Sequence, residues 1–221
     1  MKRTVRSYVL RQGRVTTAQE RALAQLMPVY GIEFKEELLR PAAVFGREAP
    51  LVLEIGSGMG ETTARIAAER QDTDFLAVEV HRPGVGGLLK LVDREQLKNV
   101  RVIRHDALEV LEQMIPDGAL AGIHLFFPDP WPKKRHHKRR LVQPAFAALA
   151  TRKLTPGGVL HAATDWQDYA DHMLAVLSAE SGLERVEAAA ARPSTKFELR
   201  GLKLGHEVHD FLFRRRQKIG V

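Results

Sequence analysis

The chain has 221 residues with 44% hydrophobic content, long enough for one substantial core, and shows no low-complexity linker or internal repeat. It contains no cysteine, which excludes disulfides and thiolate metal sites, and no uninterrupted apolar run near the ~18 residues that span a bilayer. The net charge of +7 is unevenly placed: residues 1–14, 133–140 and 214–218 hold 15 of the 34 Lys/Arg and no acid, leaving 19 basic against 27 acidic residues elsewhere. An acidic body with three basic segments favours a polyanion partner, because Lys/Arg clusters gain affinity by releasing counterions condensed on phosphates. The competing reading is a solvated charge run. No apolar stretch follows the basic N-terminus as it would in a secretion signal. The expectation is a cytoplasmic protein without membrane association or an obligatory protein partner, and a monomer rather than a homodimer.

Thr17-Ala18-Gln19-Glu20 has capping-box spacing and opens a helix expected to end before Pro28. Short apolar runs then alternate with longer helical patterns. The strand candidates are Leu51–Ile55, Phe75–Val80, Val100–Arg104, Gly122–Phe127, Gly158–Thr164, Leu183–Ala188 and Val208–Arg214. Helical patterns lie at Glu61–Arg70, Gly87–Leu97, Leu108–Met114, Pro144–Lys153 and Trp166–Ser181. This rhythm predicts an α/β fold with a seven-stranded, mostly parallel sheet and helices on both faces. No helix is evident between the last two strands, so the final strand is expected to be antiparallel. Residues 1–40 read as a basic N-terminal extension with a helix, and residues 41–221 as the main domain.

"LVLEIGSGMGE" places Gly56, Gly58 and Gly60 between a buried strand and a helix, where a ligand can approach the backbone closely. The spacing is Gly-x-Gly-x-Gly, not the Gly-x-Gly-x-x-Gly of dinucleotide binders. Glu54 and Glu61 make this mouth acidic, which suits a cofactor with a cationic centre such as S-adenosylmethionine better than a phosphorylated one. Glu54 could instead cap the following turn. Glu79 ends the second strand where doubly wound folds offer a carboxylate to ribose hydroxyls. Asp106 follows the third strand, where it could meet an adenine amino group or cap the next helix.

In "HLFFPDPWPKKRHHKRR" a core strand ends in Pro128-Asp129-Pro130-Trp131 and runs directly into six Lys/Arg within residues 133–140. The prolines stiffen the backbone around Asp129. Trp131 could stack on a base or fill a gap at the sheet edge. The stretch reads as a catalytic rim joined to a grip for phosphates. His136 and His137, adjacent and without spaced partners, make poor zinc spacing, so no metal is expected.

The segments "LEIGSGMGE", "AVEVHRPGVGGLL", "FFPDPWPKKRHHKRRLV" and "TKFELRGLKLGHEVHDFLF" resemble the bacterial tRNA (guanine-N7)-methyltransferase family over nearly the whole chain. The resemblance implies a Rossmann-like class I methyltransferase fold and transfer of a methyl group from S-adenosylmethionine to a variable-loop guanine, position 46, of tRNA. It implies cofactor contacts from Glu54, Gly56, Glu79, Asp106 and Asp129, with Asp129 also catalytic. It implies substrate contacts from Lys133, Asp165, Thr195, Lys196, Phe197 and Glu198, and RNA contacts from Arg135, His136, His137, Lys138, Arg139 and Arg140. Asp165 could also cap the helix that follows it.

Guanine N7 carries a lone pair and no proton at neutral pH, so this chemistry needs no general base; Asp129 is therefore expected to orient and to stabilise charge. Three other readings remain. A methyltransferase acting on a protein or small molecule leaves the basic segments unexplained. A non-enzymatic RNA binder leaves the glycine loop and rim acids unexplained. A dehydrogenase would require a nicotinamide cofactor.

Overall fold

The computed structural model describes residues 6–8, 14–187 and 192–217; within these, the side chains of Lys196, Phe197, Arg200 and Lys203 are excepted. Lys2, Arg3, Arg11, Lys218 and Ala188, the expected end of the sixth strand, lie outside the described residues. In chain order the elements begin with α1 (Thr17–Tyr30), β1 (Gly31–Ile32), α2 (Pro41–Phe45), β2 (Leu51–Ile55) and α3 (Glu61–Glu69). They continue with β3 (Asp74–Val78), α4 (Arg82–Arg94), β4 (Val100–Ile103), α5 (Ala107–Gln113) and β5 (Leu120–Phe126). A 3-10 helix (Lys134–Arg139), α6 (Pro144–Lys153) and β6 (Leu154–Thr164) follow. The chain closes with α7 (Gln167–Ala179), β7 (Leu183–Val186), α8 (Lys196–Lys203) and β8 (His209–Arg215).

The strands form one sheet of order β1-β4-β3-β2-β5-β6-β8-β7, parallel from β1 to β6, with β8 antiparallel to both β6 and β7. The chain reverses sheet direction at β2, whose neighbours are β3 and β5. That reversal opens a crevice at the carboxyl ends of the strands, where ligands bind in such sheets. The alternation of β2 shows how both faces are covered. Leu51, Leu53 and Ile55 join the core under α5, α6 and α7, whereas Val52 joins the core under α1, α3 and α4.

Five expectations need correction. The sheet has eight strands, because the two-residue β1 adds to the edge beside β4; two residues carry no alternation to detect. The capping box is made by Thr16, whose hydroxyl accepts from the Gln19 backbone while the Gln19 side chain accepts from the Thr16 backbone. That helix runs through Pro28, which lies inside it. α4 starts five residues earlier than its pattern suggested, with Pro83 in its first turn, a position where a missing N–H costs nothing. Its glycines serve packing: a Cβ on Gly84 would lie 2.6 Å from the Gly58 carbonyl, so only glycine lets the helix sit this close to the glycine turn. Finally, α8 lies between the last two strands.

Candidate active site

The turn after β2 is built for close approach. Gly56, Gly58 and Gly60 all have positive φ, and a Cβ at Gly60 would meet Leu88 at 2.5 Å as well as strain the backbone. Glu79 holds the turn in place: one carboxylate oxygen accepts from Gly58 N at 2.8 Å, the other from Val80 N and His81 N at 2.7 and 2.8 Å. The second-strand acid is thus a brace between the glycine turn and the exit of β3.

Around that turn sit three buried polar atoms short of good hydrogen bonds, Glu54 Oε2, Ser57 Oγ and Thr63 Oγ1, with the Thr63 hydroxyl making at most a weak bond to the Glu54 carboxylate. Buried polar groups are ordinarily satisfied, so a cluster of orphans marks a place shaped for a polar ligand. Burial pushes the Glu54 carboxyl up to about 7, with Thr63 opposing the rise and the Glu79 carboxylate adding to it. A cationic group placed there would restore the charged form and satisfy the oxygen. Glu54 caps no turn through this atom. Asp106 does cap: its Oδ1 accepts from Leu108 N at 2.9 Å at the start of α5. Tyr8 lies beside it, its hydroxyl raised above the ordinary value by burial and then by the Asp106 charge.

β5 exits two strands' width from β3, and its end is strained on both sides of Asp129. Phe127 and Trp131 have φ of 52° and 48°, a region that costs non-glycine residues about 1–3 kcal/mol each. Neighbouring contacts hold these conformations. Phe127 N donates to the Ala163 carbonyl at 2.8 Å. Trp131 Nε1 donates to the Ser7 carbonyl at 3.0 Å, and the Arg139 guanidinium lies 3.9 Å over the indole. Trp131 therefore packs against the N-terminal segment. Asp129 between them is exposed and forms no hydrogen bond or ion pair among the described residues.

The basic run divides into two groups. Lys133, Lys134, Arg135 and Lys138 are exposed, and His136 and His137 are half-buried. Arg139 is also half-buried, donating to the carbonyls of Arg6 and Tyr8. Arg140 is buried: it donates to the Pro130 carbonyl at 2.9 Å, pairs with Asp168 and stacks on Tyr169 at 4.9 Å. The expected RNA contact at Arg140 gives way to a strut between the Asp129 loop and α7, because the side chain turns inward at the end of the 3-10 helix. Among the described residues no group of three His, Asp or Glu could hold a metal ion.

Asp165 does not cap α7, whose N-cap is Trp166. Its carboxylate instead faces α8, 3.2 Å from His206 Nδ1, and a Cβ on Gly201 would lie 2.5 Å from it. Thr195 and Glu198 form a capping box at the start of α8: Glu198 N donates to Thr195 Oγ1 at 3.0 Å and Thr195 N to Glu198 Oε2 at 3.1 Å. Lys196 and Phe197 open the helix, their side chains outside the described residues. Asp165 thus lies against Gly201 in the far part of α8 and His206 just beyond it, whereas the Thr195–Glu198 segment caps the start of that helix. Sequence reasoning missed Arg192, Asp210 and His161, which adjoin this segment. The Thr-x-x-Glu spacing could have revealed the capping box, but nothing local marks the other three.

Fold and site together define a Rossmann-like methyltransferase with an acidic cofactor mouth. A family model described as "Putative methyltransferase" matches residues 48–211. The 16S rRNA methyltransferase KamB superposes with a TM-score of 0.60 at 16% identity, covering 82% of this chain and 95% of its own. A 16S rRNA (adenine(1408)-N(1))-methyltransferase from Catenulisporales acidiphilia, solved with its cosubstrate, gives 0.54 at 13%, covering 83% and 94%. Two relatives named tRNA (guanine-N(7)-)-methyltransferase are much more similar in sequence. That of Aromatoleum aromaticum is 58% identical, covering 97% of this chain and 85% of the relative. That of Nitrosospira multiformis is 55% identical, covering 97% and 96%. The chain belongs to the tRNA (guanine-N(7)-)-methyltransferase family.

Proposed function

We propose that this protein methylates N7 of the variable-loop guanine, position 46, of tRNA, using S-adenosylmethionine, and that it acts as a cytoplasmic monomer. The observation that carries this reading is the exit of β5: an exposed Asp129, clamped between two strained residues, opens directly onto exposed Lys133, Lys134, Arg135 and Lys138. The family membership supports the same substrate.

The residues of the glycine turn fit the cofactor. Glu54, with Ser57 and Thr63 beside it, offers under-satisfied buried oxygens to a cationic ligand, and Gly56 leaves the backbone open. Glu79 and Asp106 would complete the cradle while keeping their brace and cap. When bound, S-adenosylmethionine supplies a methyl group on a positively charged sulfonium. Asp129 would hold the guanine in line and stabilise the positive charge that develops on the purine, with no proton to abstract. Asp165 and Glu198 would accept from the donors of the guanine Watson–Crick edge, with Thr195, Lys196 and Phe197 shaping that side. Lys133, Lys134, Arg135 and Lys138 would take the phosphates, with His136, His137 and Arg139 along the same edge and Arg140 supporting them.

The test is mass spectrometry of nucleosides from unmodified tRNA incubated with protein and S-adenosylmethionine. The expected product is 7-methylguanosine, lost when the position-46 guanine is replaced. A methyl group on another atom, or none, refutes the proposal.

A further inference from the structure

We infer that Arg192 is a positioning residue for the transfer, fixing Glu198 relative to the Asp129 loop; the inference rests on the function proposed above. Arg192 is one side chain that joins β8, the start of α8 and the end of β5. Its Nε and one terminal nitrogen form a fork on Asp210 of β8, at 2.7 and 2.8 Å. Its other terminal nitrogen donates to Glu198 Oε2 at 2.6 Å. The guanidinium lies over the rings of Phe126 and Phe127, 5.5 and 5.2 Å from their centroids, and Phe127 stands two residues before Asp129. The side chain is only 3% exposed, and the same terminal nitrogen that meets Glu198 also donates to the Pro193 carbonyl at 3.4 Å.

The anchor is itself held rigidly. Asp210 accepts from, or shares a proton with, His161 Nε2 at 2.7 Å. It sits opposite Ala163 in the β6–β8 ladder, and the Ala163 carbonyl is the one that binds Phe127 N. One row of the sheet therefore carries both the strained entry to the Asp129 loop and the foot of Arg192. The capping box holds Glu198 Oε2 through the Thr195 N–H, but ties it only to its own helix. The remaining Arg192 nitrogen adds a second donor to that same oxygen and ties it to Asp210 of β8, which fixes the direction in which the other oxygen can meet the base. Lysine cannot reproduce this, because a single ammonium lacks the planar fork that binds Asp210 and Glu198 together.

The experiment measures single-turnover methyl transfer and tRNA affinity for wild type, Arg192→Lys, Glu198→Gln and the double variant. Arg192→Lys should slow transfer roughly 10–100-fold, the scale of a small misplacement, with tRNA and S-adenosylmethionine affinities unchanged. In the Glu198→Gln background the same substitution should add little further loss, since Arg192 acts through Glu198. A folded Arg192→Lys with wild-type transfer, or losses that multiply in the double variant, overturns the inference. Should Arg192→Lys fail to fold, Asp210→Asn alone and with Glu198→Gln takes its place, judged by the same criteria. Absence of 7-methylguanosine with wild-type protein would instead sink the proposed function on which this rests.

Discussion

Glu54→Gln should stabilise the ligand-free chain at neutral and alkaline pH while abolishing its response to the cofactor. Glu54 is 3% exposed and its folded-state carboxyl titrates at about 7, against an ordinary value of 4.5. Between those values the native state holds a proton that the unfolded chain has released, so stability falls as pH rises through this window. Above pH 7 the full cost applies: at 1.36 kcal/mol per pH unit it comes to about 3 kcal/mol. Below pH 4.5 both states are protonated and the cost vanishes. Glutamine has nearly the same shape and no such window. Urea unfolding of both proteins from pH 4 to pH 8 measures the difference, and comparing pH values cancels any packing effect of the amide. The variant should gain about 3 kcal/mol over wild type between the two ends of the series. S-adenosylmethionine at saturating concentration should then raise the midpoint of wild type and leave the variant where it was. A wild-type to variant difference that stays flat with pH refutes the account of Glu54 as an orphaned buried acid awaiting a cation.

Asp129→Asn should lower the rate of methyl transfer by 10²-fold or more, about 2.7 kcal/mol, while tRNA affinity in filter binding stays near wild type; near-normal turnover removes Asp129 from the reaction. Replacing Lys134, Arg135 and Lys138 together with Ala should flatten the salt dependence of tRNA binding by ~0.7 to 0.9 log units per lost phosphate contact. Coincident slopes for the two proteins would make the run a solvated face. Arg140→Ala should behave differently, losing about 1–3 kcal/mol of stability with the salt slope unchanged, because its bonds go to Pro130 and Asp168. An unchanged melting temperature with a shallower salt slope would return it to the RNA.

Sequence alone carried what is periodic or local. Short, mostly apolar runs separated by helical patterns marked β2 to β6 as buried parallel strands, since strands covered on both faces lack a regular polar alternation. The glycine turn, the acids at successive strand ends and the charge density of residues 133–140 were legible for the same reason: each is written in adjacent residues. Tertiary structure decided which of those residues stay exposed and which are consumed by the fold. Arg140 looks no different from Arg135 in the sequence, yet one is buried against Tyr169 and the other exposed. Asp165, expected as a substrate contact that could also cap, faces α8 and does not cap α7, while Thr195 and Glu198, expected only as substrate contacts, form a cap. The Arg192–Asp210–His161 contacts join residues up to 49 positions apart, brought together by β8 inserting between β6 and β7. Strand pairing sets such contacts, and no spacing rule within one segment can encode a partner that arrives from another edge of the sheet.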